Sequence, residues 1–197
     1  IIPSLRGAQR SRPLDDICKE AEILVEKGVK EILLTAENTT DYGQDFQDGK
    51  GFEHVLETLV KTFEKEASTT KPWIRFLYTH PKTLTESIIK TVKNHNTICS
   101  YYDVPIQHAS STILKKMGRP YTKEDLYTLF NTIRKIDPEA ALRTTLIVGF
   151  PGESQTDFDL LMAFIKEIRF DHLGVFTYSD SDDLKSHLLK DHVSAEL

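Results

Sequence analysis

Apolar residues along this chain recur at two alternating periods. From Pro13 onward, Leu14, Ile17, Cys18, Ala21, Leu24 and Val25 follow one another at helical spacing. Pro13 suits a first helical position, Asp15 and Asp16 suit the electropositive amino end, and Gly28 suits the stop. The pattern then contracts to Glu31–Thr35 (EILLT), a run with the length and composition of a buried strand. Phe52, Val55, Leu56, Leu59, Val60 and Phe63 mark a second helix, and a strand over Trp73–Tyr78 (WIRFLY) follows. Thr83 and Glu86 stand at capping-box spacing before a helix carrying Leu84, Ile88 and Val92.

The alternation continues through a strand over Tyr101–Ile106 (YYDVPI) and two helical stretches, the second carrying Leu126, Leu129, Phe130 and Ile133. Next come a strand over Ala141–Val148, a helix with Phe158, Leu161, Met162, Ile165 and Ile168, and a last strand near His172–Thr177. Strands alternating with helices predict a parallel sheet covered by helices. Right-handed crossovers curl such a sheet into an open partial (β/α) barrel or a doubly wound sheet, and both place ligands at the carboxyl ends of strands. No repeat or linker interrupts residues 1–179, which read as one core domain. Periodicity lapses after Asp180, so residues 180–197 read as a frayed or truncated segment.

Composition narrows the function. A net charge of −5 and a pI near 5.8 exclude a generally basic nucleic-acid surface. Arg6, Arg10 and Arg12 form a local basic cluster that reads as a solvated segment, as do the aspartates after Tyr178. No apolar run reaches the roughly 18–20 residues of a membrane-spanning helix, and no secretory leader pattern is visible. The chain opens at Ile1 with no methionine, which reads as a piece whose native start lies upstream. Cys18 and Cys99 lie too far apart in sequence to suggest a disulfide framework or a metal pattern; Cys18 sits on a helical apolar stripe and Cys99 reads as structural. His54, His95, His172, His187 and His192 show no ligand spacing.

The strand exits carry the remaining information: AENTTDYG, YTHP, VPIQHAS, IVGFPGE and FTYS. Singly, each reads as a turn or cap. Together with LRTTLIVGFPGE and KMGRPYT (Lys116–Thr122), they resemble the central domain of the radical S-adenosylmethionine methylthiotransferases, over nearly the whole chain. His108 after Gln107, and Ala141–Thr145, lean toward the RimO type, which modifies an aspartate of a small-subunit ribosomal protein, rather than the tRNA-modifying MiaB type. The resemblance implies a TIM-like radical-SAM core lacking its first strand and cluster loop, with the cluster motif CxxxCxxC immediately before Ile1. It also implies a second [4Fe-4S] cluster in an N-terminal domain, a small C-terminal TRAM-like domain, a flavodoxin or ferredoxin electron donor, and a cytoplasmic monomer. Catalytic residues are expected outside this chain, so the piece alone is expected to be inactive. In such enzymes S-adenosylmethionine is cleaved to a 5′-deoxyadenosyl radical, and a sulfur and methyl unit is then inserted.

The same resemblance implies a cradle for S-adenosylmethionine. Arg143, read as near a strand end, offers a planar fork for the methionine carboxylate, with a structural ion pair as the plain alternative. Glu37, Asn38 and Thr39 suit the ammonium or ribose hydroxyls, against a turn and helix cap. Gln107 both donates and accepts, and suits a ribose or methionine head. His108 is a proton carrier, a polar wall or a satisfied structural histidine. Val148, Gly149 and Phe150 bring backbone and ring to the adenine, while Glu153 is either part of that loop or a helix N-terminal carboxylate. Tyr78 and Tyr178 line the pocket or the core. Glu37 departs from the family pattern, which usually has glutamine. Three other readings stay open: a tRNA methylthiotransferase, a non-radical barrel with GFPGE as a phosphate loop at a helix N-terminus, and an interaction module.

Overall fold

The structure is a computed structural model that describes residues 7–65 and 72–194. Arg6 and the rest of the opening IIPSLR lie outside the described residues. The elements alternate as the periodicity predicts. They are α1 (Leu14–Glu26), β1 (Glu31–Leu34), α2 (Phe52–Lys65), β2 (Trp73–Phe76), α3 (Glu86–Asn94), β3 (Tyr101–Asp103), α4 (Ser111–Lys116), α5 (Lys123–Ile136), β4 (Ala141–Val148), α6 (Gln155–Ile168) and β5 (His172–Thr177). Among the described residues every ladder is parallel, in two sheets ordered β1-β2 and β3-β4-β5, and no closed barrel forms.

Contacts gather into two compact units. One holds residues up to Thr79 with Thr83–Ser100, and the other holds His80–Lys82 with everything from Tyr101. In the first, α2 buries Val55, Leu56, Leu59, Val60 and Phe63, the residues its spacing singled out. Its core is completed by Ile74 and Phe76 of β2 and by Ile88, Ile89 and Val92 of α3. In the second, β4 alternates strictly, with Leu142, Thr144 and Leu146 buried and Arg143, Thr145 and Ile147 on the other, more open face. Phe130 of α5 and Phe164 of α6 are fully buried, and each fully buried large side chain contributes about 1.5–3 kcal/mol.

Local chemistry sets the ends. Thr122 with Asp125 and Ser154 with Asp157 form reciprocal capping boxes at the starts of α5 and α6. The expected Thr83–Glu86 box does not form. Thr85 caps α3 instead, accepting from the Ile88 N–H, and Thr83 Oγ1 lies 2.7 Å from Thr40 Oγ1. A competing tertiary partner drew Thr83 away. β3 is also shorter than expected, because Pro105 has no N–H to offer the ladder. Thr144 takes over: its hydroxyl donates to the Val104 carbonyl at 2.7 Å and accepts from Ile106 N–H at 3.3 Å. After Asp180 the chain forms a short 3-10 turn over Lys185–Leu188, and Gly152 N–H donates to the Asp191 carbonyl at 2.7 Å.

Replacing Thr85 by Ala is expected to cost about 1 kcal/mol through the lost α3 cap, read as a fall in urea midpoint at unchanged slope.

Candidate functional site

The β1 exit runs Thr35–Ala36–Glu37–Asn38 and enters a one-turn 3-10 helix, Thr39–Asp41. Thr39 is buried, and its polar groups are used internally: its N–H donates to the Tyr78 carbonyl at 3.0 Å and its hydroxyl to the Leu77 carbonyl at 2.5 Å. It therefore ties the β1 exit to the β2 exit. Asn38 is held by Thr40, whose hydroxyl donates to its Oδ1 at 2.9 Å, and by Thr83, which accepts from its Nδ2 at 3.3 Å. Tyr78 adopts a left-handed backbone (φ 58°) and its ring is exposed. Beside this exit lies a cavity of about 800 Å³. Leu24, Ile32, Leu34, Phe52 and Leu59 supply apolar walls, while Glu37, Asn38 and Arg10 are among its polar lining residues. Tyr78 is not among its lining residues.

In the second unit the β3 exit is fixed by Gln107. Its backbone is left-handed (φ 67°), its N–H donates to the Thr145 carbonyl at 2.9 Å, and its own carbonyl accepts from Ile147 N–H at 2.8 Å. The half-buried side-chain amide makes no hydrogen bond among the described residues. His108 is fully buried, and its Nδ1 accepts from Ser110 N–H at 2.9 Å. At the β4 exit Gly149 takes φ 76°, which only glycine adopts at little cost. Glu153 folds back over this turn, its Oε2 accepting from Gly149 N–H at 2.6 Å and from Phe150 N–H at 3.1 Å. The β5 exit joins the same group: Tyr178 N–H donates to the Val148 carbonyl at 2.8 Å, and its ring meets Phe150 edge-on at 5.1 Å. Gln107, His108, Val148, Gly149, Phe150, Glu153 and Tyr178 are thus brought together.

Arg143 does not lie at the carboxyl end of β4, where the strand exit is. It is the third residue of β4, in register with Asp103, and its Nη1 donates to the fully buried Asp103 carboxylate at 2.6 Å. Val148 lies about 16 Å further along at 3.3 Å per residue. The register places Arg143 at the amino end of β4, and the structural ion pair is what forms there. The phosphate-loop reading of GFPGE also fails, because the protein's own Glu153 carboxylate occupies the turn's N–H donors.

Sequence reasoning passed over Asp103, Ser110 and Asp157. Ser110 Oγ donates to Asp157 Oδ1 at 2.5 Å, which welds the β3 exit to the α6 cap. The Ser154–Asp157 capping spacing was the available signal; the Ser110 contact, 47 residues away along the chain, had none. Among the described residues no cluster of His, Cys, Asp or Glu fits a metal ion. Burial raises the thiols of Cys18 and Cys99, as for half-packed structural cysteines. No helix among the described residues is long and apolar enough to cross a membrane.

A parallel α/β protein with its polar residues gathered at strand exits is the class that the fold defines. The profile of the Radical SAM superfamily matches residues 1–165, and the chain belongs to that family. It is 47% identical over 196 residues to the ribosomal protein uS12 methylthiotransferase RimO of Desulfosudis oleivorans, and 46% identical over 197 residues to that of Clostridioides difficile. Either match takes in 100% of this chain and 43% of the relative, so the chain spans less than half the length of the curated relatives it matches. In fold it is similar to Escherichia coli coproporphyrinogen III oxidase (HemN), a radical SAM enzyme (TM-score 0.66, 16% identity, 93% of this chain and 42% of that one). It is also similar to the cobalamin-dependent radical enzyme OxsB (TM-score 0.66, 12% identity, 92% of this chain and 25% of that one).

Burial alone pushes the Asp157 carboxyl up, but hydrogen bonds from Ser110 and Ser154 outweigh it and hold the group below the ordinary carboxylate range. A carboxyl depressed by folding stabilises at pH above its unfolded value, about 4, and that stabilisation is lost as pH falls through the folded value. Asp157→Asn is therefore expected to lower the urea midpoint at neutral pH and to flatten its acid limb; an unchanged acid limb would refute this.

Proposed function

We propose that the chain is the central part of a methylthiotransferase that uses S-adenosylmethionine to modify an aspartate of ribosomal protein uS12. The observation that carries this is the 47% identity along the whole chain to a relative of that name, on top of membership in the Radical SAM superfamily. In this reading Gln107, with its unused amide, and the Val148–Phe150 turn receive the ribose and adenine. Tyr178 backs the turn, and Glu153 shapes it rather than touching ligand. The cavity of about 800 Å³ beside the β1 exit, with Glu37 and Asn38 among its polar lining residues, is the first unit's own candidate pocket for a polar ligand. Bound S-adenosylmethionine supplies the adenosyl group for radical chemistry and the methyl group for transfer. The chain's own residues bind it, orient it and exclude water.

The same reading carries a [4Fe-4S] cluster held by cysteines outside this chain and a second cluster in another part of the protein. It also carries a flavodoxin or ferredoxin electron donor and a monomer working in the cytoplasm.

The test is made on the full-length protein, reconstituted anaerobically with iron, sulfide and S-adenosylmethionine. A methylthio mass gain on an aspartate peptide of uS12 is expected; the gain appearing on tRNA instead would overturn the substrate. Gln107→Ala is expected to raise the KM for S-adenosylmethionine about ten-fold, the loss of one or two hydrogen bonds, with protein stability little changed.

A further inference from the structure

His108 has an unused donor in a place where unused donors are costly. The residue is fully buried. Its Nδ1 takes the Ser110 N–H, which requires a lone pair there and leaves the proton of the neutral ring on Nε2. That Nε2 makes no hydrogen bond among the described residues, yet it lies 3.5 Å from Glu153 Oε1, on a carboxylate whose side chain is only 6% exposed. The other oxygen of the same carboxylate holds the Gly149 and Phe150 N–H groups. A buried donor beside a buried acceptor, a few tenths of an ångström beyond bonding range, is set to close.

We propose that His108 is a positioning residue, whose Nε2–H seats the Glu153 carboxylate and through it fixes the Gly149–Phe150 turn that receives the adenosyl ligand. The surroundings hold the ring on its other side. Ser110 donates its N–H to Nδ1 and its hydroxyl to Asp157, and Asp157 in turn accepts from Ser154 N–H and Oγ–H. The Gln-His-Ala-Ser segment after β3 thus reaches the glycine turn after β4 by two routes, through Glu153 and through Asp157. Of the two, only the Glu153 route is incomplete. Ligand closing over Phe150 would bring Nε2 and Oε1 within bonding distance, so part of the binding free energy is delivered at His108, which never touches the ligand.

The ligand half of this proposal rests on the S-adenosylmethionine reading above; the contact between His108 and Glu153 does not. Two variants of the full-length protein separate the two ring nitrogens. His108→Asn keeps an acceptor for Ser110 but withdraws the donor from Glu153, whereas His108→Gln extends an amide N–H to where Nε2 stands. Hydrogen–deuterium exchange of peptides covering residues 147–154 is expected to speed up about ten-fold in His108→Asn and to return toward wild type in His108→Gln. The KM for S-adenosylmethionine should follow the same order, with kcat changed less. Glu153→Gln, which attacks the contact from its other side, should add little to His108→Asn in the double variant. Exchange over 147–154 left at the wild-type rate in His108→Asn, no recovery in His108→Gln, or additive effects in the double variant would each overturn the proposal. Wild-type protein that fails to bind S-adenosylmethionine would instead remove the ligand reading, while the exchange pattern still decides the role of His108.

Discussion

Gln107 is the constraint on which the second unit's site depends. Its left-handed backbone is wedged between Thr145 and Ile147, giving one hydrogen bond to each. This one residue makes a further parallel bridge to β4, opposite Leu146, and turns the chain, so that His108 goes inward while Ser110 reaches the α6 cap. A residue other than glycine pays for φ near 67° in steric strain. Two backbone hydrogen bonds to the neighbouring strand hold it there. The polar groups that follow are positioned from that point.

The glycine turn after β4 shows how such a site is prepared in advance. Its N–H groups would bind an anion, but Glu153 supplies that anion from within the chain. The turn is therefore shaped before any ligand arrives, and behind it the buried Phe150 packs edge to face with Tyr178, so the turn presents no bare positive pole. Such a surface suits a flat, largely neutral group such as a nucleobase better than a phosphate. The arrangement at β1 follows the same economy. Thr39, Thr40 and Thr83 spend their hydroxyls on the Leu77 carbonyl, on Asn38 and on one another, and so hold Asn38 beside the cavity.

The alternation of helix and strand was legible in the sequence. The apolar faces of α2 and α5 fell where 3.6-residue spacing placed them, and β4 where its alternation did. Resemblance in LRTTLIVGFPGE and VPIQHAS led to the right superfamily, because strand exits are short and must bring particular backbone groups close together. The reading erred wherever a polar residue had two partners to choose between. Thr83 had capping-box spacing, but Thr40 and Asn38 claimed it. Arg143 was read as near a strand end, with a structural ion pair as the plain alternative; the β3–β4 register put it opposite Asp103, five residues before Val148, and the ion pair forms there.

The sequence by itself determined the order of elements, the parallel α/β class and the composition of the loops at the strand exits. Those follow from periodicity and turn chemistry, which act over a few residues. The tertiary structure alone decided that Glu153 caps its own turn, that Ser110 meets Asp157 across 47 positions, and that His108 is buried with one nitrogen satisfied and one not. A buried polar group takes whichever partner the packing brings within about 3 Å, and that choice depends on strand register and side-chain direction, which spacing along the chain does not encode.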